Sequence, residues 1–226
     1  MGCGEGAVAG GMPILCQRDV SKTFGQAIDD EDHGIAVDNR ERAAGAEIVL
    51  HIDDQQQIIV SRKATGTLVI DNLQDGRNLY LIGTGTGLAQ FLSVIKDPET
   101  YERFEKVVLL HGCRRVAELA YGEMITEKLP KDELIGDLVR DQLIYYPTVT
   151  RDPFRNRGRI TDLMTSGKLF SDVGFAPLAG EHDRVMICGS PALVHDMRAL
   201  LAAKGFVEGN HGEPGQFVVE KAFAER

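Results

Sequence analysis

The chain has 226 residues, 43% of them hydrophobic and 26% charged, ordinary proportions for a globular protein able to bury a core. Its formal net charge of −9 argues against a general nucleic-acid binder, because neutralising phosphates needs a basic surface. No apolar run approaches the ~18–20 residues of a membrane-spanning helix, and no signal peptide is recognisable, so no membrane association is expected. The four cysteines, Cys3, Cys16, Cys113 and Cys188, lie far apart without a CxxC pair, which fits neither a zinc site nor a disulfide framework. Free thiols suit a cytoplasmic protein.

Residues 1–57 are poor in core-forming pattern. They open on GCGEGAVAGG and continue through acidic and glycine-rich stretches in which only Ile35–Val37 and Glu47–Ile52 are strand-like. Glycine costs backbone entropy and acidic runs repel, so this segment reads as atypical and largely disordered. From Ile58 the pattern becomes regular. IIVSRKATGTLVI reads as a strand, a glycine-containing bend and a second short strand.

Apolar strands then alternate with helical stretches: NLYLIG with LAQFLSVI, KVVLLHG with the amphipathic VAELAYGEMITEKL, and LIYYPTVT with TDLMTSGKLF. DRVMICG with PALVHDMRALLAAKG and a final QFVVEKAF complete the series. Short buried strands separated by helices require crossover connections and a parallel sheet covered on both faces. The fold class is therefore α/β, a doubly wound parallel sheet of five strands. No repeat of fixed period interrupts it.

Gly83-Thr84-Gly85-Thr86-Gly87 lies between the first of these strands and its helix. Glycine permits a sharp turn and lets phosphates approach peptide N–H groups, and a helix start carries roughly half a positive charge. A tight turn that binds nothing is the alternative, since the loop is neither GxGxxG nor a Walker loop. Farther on, Ser190 can cap a helix whose first position is Pro191, which by itself accounts for both residues.

The run LIGTGTGLAQF resembles the TGTGLAPF element of bacterial-type ferredoxin–NADP(+) reductases. DPETYERFEKVVLLHG, ELAY, LIYYPTVTRDPFRNRGRITDLMTSGKLF, MICGSP and GEPGQFVVEKAFAER resemble further segments of that family in the same order. One departure stands out: Gln90 occupies the position of the family's proline, which would pre-set the helix start.

The resemblance implies a flavin-dependent oxidoreductase that moves electrons between NADPH and ferredoxin or flavodoxin through FAD, with NADP(H) and FAD as cofactors. It implies that Gly83, Thr84, Gly85, Thr86 and Gly87 cradle the pyrophosphate, with Thr86 between flavin and nicotinamide. Cys188 would lie near the nicotinamide ring, within the Cys188-Gly189-Ser190 element, so Cys188 and Thr86 are the catalytic candidates. His111 and Arg114 match the element HGxR beside the pyridine nucleotide. Thr150, Arg151 and Arg159 are placed at the 2′-phosphate, beyond the carboxyl end of a strand, where open α/β sheets bind ligands. Arg155 and Arg157 have no such warrant and read as solvated charges. Ala222 and Phe223 resemble the tail that covers bound FAD, and Arg62-Lys63 with Thr65-Gly66-Thr67 resemble the end of the family's FAD barrel.

The expected organisation is an atypical segment at 1–57, a remnant of the antiparallel FAD-binding barrel at 58–75 and an NADP(H)-binding domain at 76–226. Residues 1–57 carry neither the Arg-x-Tyr-Ser/Thr signature nor the GxxT/S element of a flavin site; Arg18-Asp19-Val20-Ser21 comes nearest and lacks the aromatic. The FAD-binding half is accordingly expected to be truncated or replaced. Two readings stay open: the reductase, and a non-catalytic NADP(H)-binding fragment that has lost its flavin site.

Overall fold

A computed structural model of the chain describes residues 68–210 and 212–220. Five parallel strands, β1 Asn78–Thr84, β2 Lys106–Cys113, β3 Leu143–Val149, β4 Asp183–Cys188 and β5 Phe217–Val219, form one sheet in the order β3-β2-β1-β4-β5. Each coincides with one of the apolar runs in the sequence. The reason is burial on both faces: along β1, Leu79 and Leu81 enter one core while Tyr80 and Ile82 enter the other. Neighbouring β2 repeats this, with Val107 and Leu109 on the first side and Val108 and Leu110 on the second. A strand whose side chains alternate between two buried layers has no polar face to show.

The first layer is made by α1 Leu88–Val94, α2 Pro98–Arg103 and α3 Gly136–Gln142, which contribute Phe91, Val94, Tyr101 and Val139. The second is made by α4 Ile160–Thr165, α5 Lys168–Val173 and α6 Pro191–Ala203, which contribute Leu163, Leu169, Met197 and Leu201. The strand order switches side between β1 and β4, so the helices after those strands, α1 and α6, cover opposite faces, and the carboxyl ends of the strands at such a switch are where open α/β sheets bind ligands. The opposite edge is stapled. Buried Arg184 donates to the carbonyls of Gln74 (3.1 Å), Gly180 (2.9 Å) and Asp75, and Asn78 donates to Asp183 (2.8 Å).

Three local expectations need correction. The amphipathic helix expected from Val116 to Leu129 is a 3-10 turn at Val116–Glu118, a left-handed Tyr121 (φ 62°) and a π-helical turn at Met124–Lys128. Only Ile125 and Leu129 of this stretch are buried, and the Val116 amide is drawn away to the Asp152 carboxylate at 2.9 Å. The helical stretch through TDLMTSGKLF is two helices, α4 and α5, separated by Gly167 in the left-handed region at φ 78°. The short strand expected at the end of IIVSRKATGTLVI is not formed by the described residues: Ile70–Asn72 is a 3-10 turn, and Ile70 and Leu73 pack into the first core layer. The remainder of the anticipated barrel remnant, residues 58–67, and the segment 1–57 lie outside the described residues. No helix among the described residues is long and apolar enough to cross a membrane.

Candidate functional site

A cleft of about 770 Å³ opens at the carboxyl ends of β1 to β4, lined by the loops that follow each strand. Thr84, Gly85, Thr86 and Gly87 come from the end of β1 and the 3-10 turn that leads into α1. Gly85 adopts φ 55°, and a Cβ built there would meet nothing within 4 Å, so its free face looks into open space. At Gly87 the opposite holds. A Cβ would fall on the carbonyl of Cys188, so the turn after β1 lies directly against the loop after β4.

From β4 come Cys188, Gly189 and Ser190. The Ser190 side chain caps α6 by accepting from the Leu193 amide at 3.3 Å, with Pro191 at the first helical position, as the sequence implied. Its backbone N–H donates across to the Thr84 hydroxyl at 3.1 Å. Cys188 lines the cleft, yet only 1% of its surface is exposed, and burial, assisted by the Glu220 carboxylate, pushes its thiol up to about 12. At neutral pH it is a protonated, weakly polar surface and not a nucleophile.

The arginines are brought together by the loop after β3. It leaves at Thr150 and folds back on its own strand: Val149 accepts from the Gly158 amide (3.0 Å) and donates to Asn156 (3.1 Å), while the Thr148 hydroxyl donates to the Gly158 carbonyl (2.8 Å). Closure of that loop sets Arg151 and Arg159, eight positions apart in sequence, at the same cleft. Both are exposed. Arg151 is also held to β2's end, its amide donating to the Arg114 carbonyl at 2.8 Å. Arg114 lines the cleft as well, with its guanidinium 3.7 Å from the Glu118 carboxylate. Arg155 and Arg157 do not line it; Arg155 stacks over Phe154 at 5.8 Å.

Two of the sequence candidates lie elsewhere. Gly83 sits within β1, and His111, 1% exposed, sits beneath the cleft floor and does not line it. His111 Nδ1 is 3.0 Å from the Tyr145 hydroxyl and its Nε2 is 3.2 Å from the Cys113 thiol, which donates to the Glu118 carbonyl. Burial lowers its pKa to about 4, against an opposing hydrogen bond to the Gly85 backbone, so the ring is neutral. It braces the glycine turn from below. Ala222 and Phe223 lie outside the described residues.

The cleft also contains residues that sequence reasoning did not assign to it, among them Glu118, Asp196 and Gln90. Two carboxylates at this cleft carry no sequence signal, because their approach depends on how the 116–131 segment and α6 fold. Gln90 did leave a trace, as the departure from the proline of the resembling element. Its Oε1 is buried and has no hydrogen-bond partner. A turn with an open glycine face, two threonine hydroxyls and two exposed guanidinium groups suits a phosphorylated dinucleotide. That donor set fits NADP(H).

The family model described as the oxidoreductase NAD-binding domain matches residues 81–199. The ferredoxin–NADP reductase of Pseudomonas aeruginosa is 55% identical over 177 residues, which make up 78% of this chain and 69% of that protein. Ferredoxin–NADP reductase A of Sorangium cellulosum is 56% identical over 174 residues, 77% of this chain and 63% of that protein. The chain thus spans 63–69% of the length of these curated relatives. A solved structure, a ferredoxin NADP+ reductase from Neisseria gonorrhoeae with bound FAD and NADP, superposes with a TM-score of 0.62 at 28% identity, covering 74% of this chain and 66% of that one.

Proposed function

This chain belongs to the ferredoxin–NADP reductase family, and we propose that its cleft binds NADP(H) for electron transfer between NADPH and ferredoxin or flavodoxin through FAD. The observation that carries the reading is the convergence on one cleft of the Gly85–Gly87 turn and the paired Arg151 and Arg159. Peptide N–H groups of the turn and the hydroxyls of Thr84 and Thr86 receive the pyrophosphate. Arg151 and Arg159, with Thr150 beside them, take the 2′-phosphate, and Arg114 stands at the same end of the cleft. Bound NADPH supplies a hydride; the protein's part is to orient the ring that carries it.

Thr86 and Cys188 fall to that ring. The buried thiol offers a compact surface that excludes water, and because it stays protonated it places no negative charge beside a cationic nicotinamide that would otherwise be over-stabilised in its oxidised form. Gly189 and Ser190 hold the loop that carries Cys188. His111 acts through Gly85, as a positioning residue. FAD is assigned to the chain by family, with Ala222 and Phe223 as its contacts. The buried free thiol of Cys188 suits a reducing compartment, and we place the protein in the cytoplasm.

The test is a parallel titration of the purified protein with NADP+ and NAD+, followed by absorption spectra before and after incubation with FAD and an assay of NADPH-dependent dye reduction. Preference for the 2′-phosphorylated dinucleotide, a flavin spectrum and dye reduction are expected. Absence of affinity for either dinucleotide overturns the reading. Dinucleotide binding in a protein that stays colourless with FAD would instead make it an NADP(H)-binding module.

A further inference from the structure

Gln90 is the third residue of α1, one turn after Gly87, so the two lie on the same face of that first turn. Only Ala89 and Gln90 of α1 line the cleft, and Ala89 has no polar side chain. The Gln90 Oε1 is buried and has no hydrogen-bond partner. An acceptor in that condition gains more from a ligand's donor than a solvated one does, because it has no water to give up. The terminal torsion of a glutamine is soft, so the amide can turn toward a ligand at little cost. Proline, the residue of the resembling element at this position, has no side-chain polar atom at all.

The chemistry of the partner follows from the acceptor. Phosphate oxygens only accept at neutral pH, so the group that answers Oε1 must be a ribose O–H, the adenine amine or an N–H of the carboxamide. Position selects between the two halves of the dinucleotide. Arg151 and Arg159 follow β3, and β2 lies between β3 and β1, so the arginine loop and the α1 start are separated by roughly 10 Å across the sheet. We propose that Gln90 is a binding residue for the nicotinamide riboside half of NADP(H), accepting a hydrogen bond from it beside the Gly85–Gly87 turn. The inference rests on the reading of the cleft as an NADP(H) site.

The experiment is calorimetric titration of the full chain and its Gln90→Leu and Gln90→Pro variants with NADP+ and with 2′,5′-ADP, which lacks the nicotinamide half. Melting of the ligand-free proteins is followed in parallel. Both variants are expected to bind NADP+ about 3- to 10-fold more weakly, the size of one hydrogen bond, and 2′,5′-ADP within about 2-fold of the parent. Gln90→Leu is expected to melt at the same temperature as the parent or higher, since it removes an unpaired buried acceptor. Equal weakening for both ligands, or a lowered melting point, would make Gln90 part of the scaffold and overturn the proposal. Unchanged affinity for NADP+ overturns it too, while leaving the cleft as an NADP(H) site. A parent protein that binds neither ligand removes both readings.

Discussion

The backbone N–H of Ser190 donates to the side-chain hydroxyl of Thr84 across 3.1 Å, joining the loop after β4 to the end of β1 at the point where the strand order switches side. The two segments are so close that a Cβ on Gly189 would collide with that same hydroxyl. The floor of the cleft is therefore one cross-braced unit. Thr84→Val keeps the shape of the side chain and removes the acceptor. It is expected to cost about 1 kcal/mol of stability and to weaken NADP+ binding several-fold. Thermal melting and dinucleotide titration check this; an unchanged melting point with unchanged affinity would show that the bridge contributes nothing.

Arg151 and Arg159 differ from Arg155 and Arg157 in facing the cleft, although all four are exposed and lie within nine residues. A charge-assisted hydrogen bond to phosphate is worth at most ~1.5–3 kcal/mol, and screening at an exposed site reduces that. Arg151→Ala and Arg159→Ala should each weaken NADP+ binding by about 10-fold and leave NAD+ binding nearly unchanged. Arg157→Ala should affect neither. Titrations at two salt concentrations would read the difference, and equal losses for both dinucleotides would move the phosphate site elsewhere.

How much of this was legible beforehand follows from what each element buries. The strands were readable because residues such as Tyr80 and Ile82, or Val108 and Leu110, pack one core while their neighbours pack the other, leaving uninterrupted apolar runs. The turn after β1 and the two cleft arginines were readable from motif and order. The 116–131 segment was not, because its apolar spacing suits a helix while the Val116 amide is taken by Asp152, a residue of another loop. His111 stands at a strand end in sequence, but whether such a residue faces the cleft or lies under it depends on which layer its side chain enters. Gln90 was visible only as a substitution; the unpaired state of its amide is a fact of packing.

His111 gives a pH dependence with a definite sign. Burial lowers its pKa from 6.5 to about 4, so between those values the unfolded chain binds a proton that the folded protein refuses. This histidine's contribution to stability is therefore fully present above pH 6.5 and is lost as the pH falls toward 4, a change on the order of 3 kcal/mol. His111→Gln removes the titrating group. Urea unfolding from pH 7.5 down to about 4.5 should show the parent losing stability relative to the variant. Parallel curves would mean that the ring titrates in the folded protein as it does in the unfolded chain, and the opposite divergence that it is charged in the fold.

Cys188 yields a prediction about reactivity. A thiol whose pKa is pushed up to about 12 by burial has a thiolate fraction that rises about tenfold per pH unit throughout the range in which the protein is folded. Its alkylation by iodoacetamide, followed by mass spectrometry of the peptide that contains it, should be slow at pH 7. The rate should keep climbing to pH 10 without a plateau, whereas an ordinary thiol levels off near pH 9. Bound NADP+ should slow the labelling further, because the residue lines the cleft. If the rate instead saturates below pH 8, Cys188 is an activated thiolate, and its place beside the nicotinamide would have to be reconsidered as nucleophilic chemistry instead of orientation.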